Sequence, residues 1–122
     1  MLKATCHCGN ITLSTAELPE SITSCNCSIC HRLGALWAYY NQSEVEVQNL
    51  NADDLSYAWG EKTMIFHRCA NCGCTTHYTT TEDDGNELIA INTRMVSAAK
   101  INSVPVRYFD GAVSWEYIDE KF

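Results

Sequence analysis

Cysteines in three tight groups constrain this chain more than any other feature: Cys6 and Cys8; Cys25, Cys27 and Cys30; Cys69, Cys72 and Cys74. Thiols so close in sequence are poorly placed to bridge one another, and a reducing compartment keeps them reduced unless a metal takes them. The same spacing suits a metal, because a short loop can aim two sulfurs at one ion about 2.3 Å away. Zinc accepts thiolates in a tetrahedron without redox chemistry and is the expected cofactor, at two ions per chain. Iron and iron-sulfur clusters use the same ligands and are the lesser reading.

Flanking residues divide the groups. Gly9 follows Cys8 and Gly73 follows Cys72, and glycine there lets the backbone take positive φ and turn its amides toward the sulfurs. Cys6, Cys8, Cys69 and Cys72 therefore make a complete four-thiolate site, expected to be structural, which clips the start of the chain to its middle. Closing so long a loop is entropically costly, and structural zinc supplies about 10 to 16 kcal/mol in small peptides. Cys25-Asn26-Cys27-Ser28-Ile29-Cys30 offers three thiolates within one short segment. Three ligands and a gap describe a catalytic zinc. Either the fourth position is open, or Cys74, His31 or His77 fills it; spacing leaves both readings standing. Cys27 to His31 also matches the C-x-x-C-H signature of covalent haem attachment. Haem would leave the other cysteines unexplained, and no export signal precedes the motif.

The charge of -7 and pI near 4.9 oppose nucleic acid and anionic membranes as partners. The longest wholly apolar run, Ala35 to Tyr40, is far short of the roughly 20 residues that span a bilayer. With no basic segment leading into an apolar stretch, a cytoplasmic location is expected. At this length a single domain over 1–122 is expected. Alternation and β-branched or aromatic content predict strands at Asn10 to Thr15, Leu36 to Tyr40, Glu44 to Gln48, Leu55 to Trp59, Thr63 to Arg68, Thr75 to Thr81, Leu88 to Asn92 and Val113 to Ile118. Turn signals lie at Glu82 to Asn86 and at Asp110-Gly111. Short helical pieces are predicted from Ser28 and near Arg94 to Lys100. The fold class is thus mainly β, with metal-binding loops and one or two short helices.

The order CxCG, CxCxxC, CxxCG resembles the family of glutathione-dependent formaldehyde-activating enzymes and their centromere protein V relatives. It reads here Cys6-His7-Cys8-Gly9, then Cys25 to Cys30 with Arg32 and Gly34 following, then Cys69-Ala70-Asn71-Cys72-Gly73. The resemblance implies two small antiparallel sheets in a tent-like arrangement, structural zinc on the first and third motifs, and catalytic zinc on the middle one. It implies a carbon-sulfur lyase-like activity in which the glutathione thiol adds reversibly to formaldehyde or a related small aldehyde. Two positions depart from the family pattern: Arg68 stands where Phe is usual, and Cys74 where Ser or Thr is common.

Glutathione is anionic, and two zinc-thiolate sites carrying -2 and -1 would take the protein to about -10. A local cation is then needed, and Arg32, two residues from Cys30, is the candidate. The middle zinc would bind either the thiol or the aldehyde oxygen, with His31, His67 or His77 relaying the proton. Trp37, Tyr39, Tyr40 and Trp59 are candidate pocket residues, with Arg32, Trp37 and Tyr39 assigned to substrate binding. Two rival classes remain: a zinc-stabilised binding module with two closed four-cysteine sites, and a thiol redox or metal sensor built on the three-cysteine loop.

Overall fold

The computed structural model describes residues 1–51, 53–60, 63–81, 87–118 and 121. In chain order the strands among them are β1 (Leu2–Thr5), β2 (Ile11–Thr15), β3 (Ile22–Cys25), β4 (Trp37–Asn41), β5 (Val45–Asn49), β6 (Asp54–Ala58), β7 (Met64–Cys69), β8 (Thr75–Thr80), β9 (Leu88–Asn92), β10 (Val106–Phe109) and β11 (Tyr117–Ile118). They form a three-stranded sheet, β1-β2-β5, and an eight-stranded sheet, β11-β10-β3-β4-β9-β8-β7-β6. The architecture is mainly β in two sheets, as expected, but the second sheet is not small and is not wholly antiparallel. Its exception is β10, which runs parallel to β3 with Val106 beside Ile22 and Phe109 beside Cys25. The end of the chain thereby returns next to the three-cysteine segment.

Predicted strands at seven places are matched to within one or two residues. Val113 to Ile118 is the poor match. Residues 111–114 form a turn over Asp110, whose carboxylate accepts from the Ser114 backbone N–H at 3.2 Å and hydroxyl at 3.0 Å, so only β11 remains extended. The turn signal at Glu82 to Asn86 lies outside the described residues. Helix α1 (Ser28–Leu33) starts where expected. The Cys27 sulfur caps its first turn, and Gly34 ends it in the left-handed conformation at φ 64, where glycine carries no Cβ penalty. The second helical segment divides into a 3-10 turn at Thr93–Met95 and α2 (Ala98–Ile101). No helix among the described residues is long and apolar enough to cross a membrane.

The large sheet is covered differently on its two faces. On one, Ile89 and Ile91 of β9 pack with Leu2, Ala4, Ile11 and Leu13 of the small sheet into one buried cluster. On the other, Trp37, Phe66, Tyr78 and Ala90 form an aromatic cluster against which Cys25, Cys27 and Leu33 pack. Strand alternation produces this division, since Ala90 and Ile91 are neighbours pointing to opposite faces. Leu13 is fully buried between the sheets, so Leu13→Ala should destabilise the protein by about 2–5 kcal/mol in denaturant unfolding at fixed metal content. A loss below about 1 kcal/mol would contradict a shared core at this position.

Candidate metal centres and a neighbouring cavity

Cys6 and Cys8 follow β1, Cys69 ends β7 and Cys72 lies in the turn before β8. Packing of the small sheet on the large one brings these two turns together. The four sulfurs all lie within 4.8 Å of one another, with Cys6–Cys8 at 3.7 Å and Cys8–Cys69 at 3.5 Å. Tetrahedral bonds of about 2.3 Å put thiolate sulfurs about 3.8 Å apart, so this donor set fits a zinc ion. Gly9 at φ 84 and Gly73 at φ 79 make the bends. The sulfurs then receive backbone N–H groups, from Ile11 onto Cys6 at 3.2 Å and from Asn71 onto Cys69 at 3.4 Å. The Cys74 backbone N–H, with others, pulls the Cys72 thiol down to about 6, whereas burial pushes Cys6 up to about 11.

The second group is assembled within one segment. Cys25 ends β3, Cys27 caps α1 and Cys30 lies in its first turn. Their sulfurs lie within 4.8 Å of one another, and among the described residues no fourth cysteine, histidine or carboxylate joins them. The donor chemistry again fits zinc, with one position left by the protein. The Cys30 thiol, followed by backbone N–H groups of Cys27 and Gly111, draws Cys25 down to about 6. Cys30 moves the opposite way, pushed far up first by Cys25 and then by burial. Cys25 therefore ionises more readily than Cys30. Trp37, fully buried, donates its indole N–H to the Cys30 sulfur at 3.3 Å.

Cys74 does not close this group. It packs with Cys72 on the small-sheet face, near Cys69 and the His7 backbone N–H. The knuckle bend at Gly73 carries it there. His77 is equally remote, on the small-sheet side of β8 across from Ile91. His67 stacks on it at 4.3 Å and 6°, and lies 2.9 Å from Asp54. These three side chains converge, yet parallel stacked rings hold their in-plane nitrogen lone pairs side by side instead of at a common point. Their ligand atoms nevertheless lie within 4.8 Å of one another, and neither histidine joins the three-cysteine group to relay a proton there.

A cavity of about 570 Å³ opens on the three sulfurs. Tyr39, Trp59, Met64, Tyr78, Phe109, Trp115 and Tyr117 give it a largely apolar wall. Burial raises the Tyr39 and Tyr78 phenols well above their usual range, so both remain protonated. Of the predicted pocket residues Tyr39 and Trp59 line this space. Trp37 lies beneath it, and Tyr40 points elsewhere, its hydroxyl donating to the Glu17 carbonyl at 3.0 Å. Arg32 is exposed and spends its guanidinium on the Ser28 carbonyl at 2.9 Å, one helical turn back and outside the cavity. Instead a smaller polar recess of about 130 Å³ touches Cys25 and Cys30 and is lined by Asn26, His31 and Arg94. Arg94 is held there by its Nε–H on the Gly34 carbonyl at 3.1 Å. Sequence reasoning missed Arg94 because it sits in no cysteine motif. It missed Phe109, Trp115 and Tyr117 as cavity residues because only the parallel β3–β10 pairing brings them to Cys25.

Two thiol clusters on a two-sheet β fold, one tying hairpins together and one facing a cavity, define a protein with two groups of cysteines spaced to hold metal ions. The chain belongs to the family of glutathione-dependent formaldehyde-activating enzymes, whose model matches residues 1–108. It is also similar to a solved structure, the crystal structure of a Rhodobacter sphaeroides protein, at 26% identity and a TM-score of 0.67, covering 86% of this chain and 99% of that one. No curated protein matches the chain.

Two predictions follow from this geometry. Trp37→Phe keeps an aromatic ring but removes the indole donor, and should weaken metal retention at the three-cysteine group about 10- to 100-fold in chelator competition. Unchanged retention would show that the N–H···S contact does not matter. His77 is buried and neutral, its pKa lowered from 6.5 to about 3. The unfolded chain binds the extra proton between those values, so the neutral imidazole's contribution is complete above pH 6.5 and is lost as pH falls toward 3. The stability difference between the wild type and His77→Gln should therefore shrink as pH falls from neutrality toward about 5; a constant difference would contradict the assignment.

Proposed function

We propose that both thiol groups hold zinc, and that residues 1–122 act as one zinc-binding domain in a cytoplasmic, reducing setting. The ion at Cys6, Cys8, Cys69 and Cys72 is structural. The three-cysteine group carries a reversible thiol addition, joining glutathione or a similar thiol to formaldehyde or a related small aldehyde. The observation that supports this most is that Cys25, Cys27 and Cys30 converge with no fourth protein ligand among the described residues and face a cavity. Zinc bound there would lower the proton affinity of a thiol ligand or polarise a carbonyl oxygen.

The chain's own groups set up the reaction. Trp37 and the backbone N–H of Gly111 place donors on the cysteine sulfurs and so moderate their charge. Gly111 has no side chain because a Cβ there would lie 2.7 Å from the Cys25 sulfur. The aromatic wall excludes water and lowers the local polarity. Arg94 borders the polar recess beside His31 and supplies the cationic side for a thiol's carboxylate, the role Arg32 does not fill. In the addition a carbon-sulfur bond forms, the carbonyl π bond opens and the thiol proton ends on the resulting hydroxyl. Nothing is oxidised or reduced.

The test is exchange spectroscopy of glutathione with formaldehyde, comparing metal-loaded wild type with Cys27→Ser and Arg94→Ala. Faster adduct exchange with the wild type is expected, with Cys27→Ser near the uncatalysed rate. Arg94→Ala should raise KM for glutathione by about 10-fold, the worth of one charged hydrogen bond. Wild type no faster than buffer would remove the enzymatic reading and leave the binding module with structural metals.

A further inference from the structure

Part of the wall of the large cavity, four of its fifteen lining residues, comes from chain beyond the family match. That match ends at residue 108, and Phe109, Gly111, Trp115 and Tyr117 lie past it yet line the space in front of the three sulfurs. The segment is anchored to the cysteine loop itself. Asn26 donates its side-chain N–H to Asp110 at 3.0 Å and accepts from the Ala112 backbone N–H at 3.0 Å. Phe109 makes edge contacts with both Trp115 and Tyr117, at centroid distances of 5.2 and 5.0 Å. Trp115 is the one non-glycine residue at positive φ among those described, at 60. A large side chain is strained in that conformation, and such strain persists where the position of the side chain matters. Its backbone N–H on the Asp110 carbonyl at 2.7 Å and the edge contact with Phe109 hold it there, while 69% of the residue stays exposed. Trp59 lines the same cavity.

From this we infer that the site accepts an aldehyde bearing an aryl or extended alkyl substituent, with the carbon chain lying against the aromatic wall that Trp115 and Trp59 help to line and the carbonyl at the three-cysteine group. The inference rests on the thiol-addition reading and deepens it. Formaldehyde itself makes no use of the apolar wall of the cavity, whereas a phenyl-bearing substituent buries against it with favourable edge and stacking contacts. The same balanced step applies: the carbon-sulfur bond forms at the aldehyde carbon, and the thiol proton passes to its oxygen.

The experiment compares hydrocinnamaldehyde with formaldehyde, glutathione being the thiol, on metal-loaded wild type, Trp115→Ala and Trp59→Ala. The wild type should show a kcat/KM for hydrocinnamaldehyde at least about 10-fold above that for formaldehyde, in the range that hydrophobic pockets discriminate. Each variant should lower that ratio. A wild-type preference for formaldehyde, or a ratio that neither variant moves, would overturn the inference. Binding of the unreactive probe 3-phenylpropanol, followed by tryptophan fluorescence, separates this claim from the reaction. Saturable binding weakened in both variants supports the wall's role even if no aldehyde reacts, and absence of binding overturns it even if formaldehyde does.

Discussion

Convergence of Cys6, Cys8, Cys69 and Cys72 is the interaction on which the rest depends. The two hairpin turns that carry these residues belong to different sheets, and the sulfur spacings of 3.5 and 3.7 Å are those of ligands around one ion. A metal there fixes the small sheet over one face of the large sheet. That leaves the opposite face, with Trp37, Phe66 and Tyr78, to form the floor of the site. The second cysteine group is then placed by short-range means, with a strand end, a helix cap and a helix turn within six residues. One site is thus held by long-range topology, the other by local geometry.

The division has a physical rationale. A site made by distant segments is hard to open without unfolding, which suits a structural ion. A site made by one loop, with Trp37 beneath it and the Asp110 turn beside it, keeps its three ligands while a fourth position faces the cavity. The opposed shifts of Cys25 and Cys30 reflect the same crowding. Three thiols in contact cannot all ionise alone, and the first negative charge settles where Cys30 and backbone N–H groups can donate to it. A cation bound there would relieve the remainder.

Much of this was legible in the sequence, and the limits are instructive. Glycines after Cys8 and Cys72 identified the knuckles, because positive φ is a local requirement. Alternation located β2 and β5, and β-branched content located β9. It did not locate β3 or β10, whose residues Ile22 to Cys25 and Val106 to Phe109 are short and whose pairing is parallel and long-range. For that reason the C-terminal aromatics had no visible link to the cysteines. Arg32 looked well placed by sequence distance, but α1 turns it back onto Ser28, while Arg94 reaches the same neighbourhood from a distant turn. Cys74, adjacent in sequence to one cluster, stays with that cluster.

The central claim is that seven of the eight cysteines serve two zinc ions, four on one and three on the other. X-ray absorption at the zinc edge of the purified, zinc-saturated protein tests it most directly. The account predicts two zincs per chain with seven sulfur neighbours between them and one light oxygen or nitrogen atom. Eight sulfurs shared by two zincs, or a single zinc with four, would contradict it.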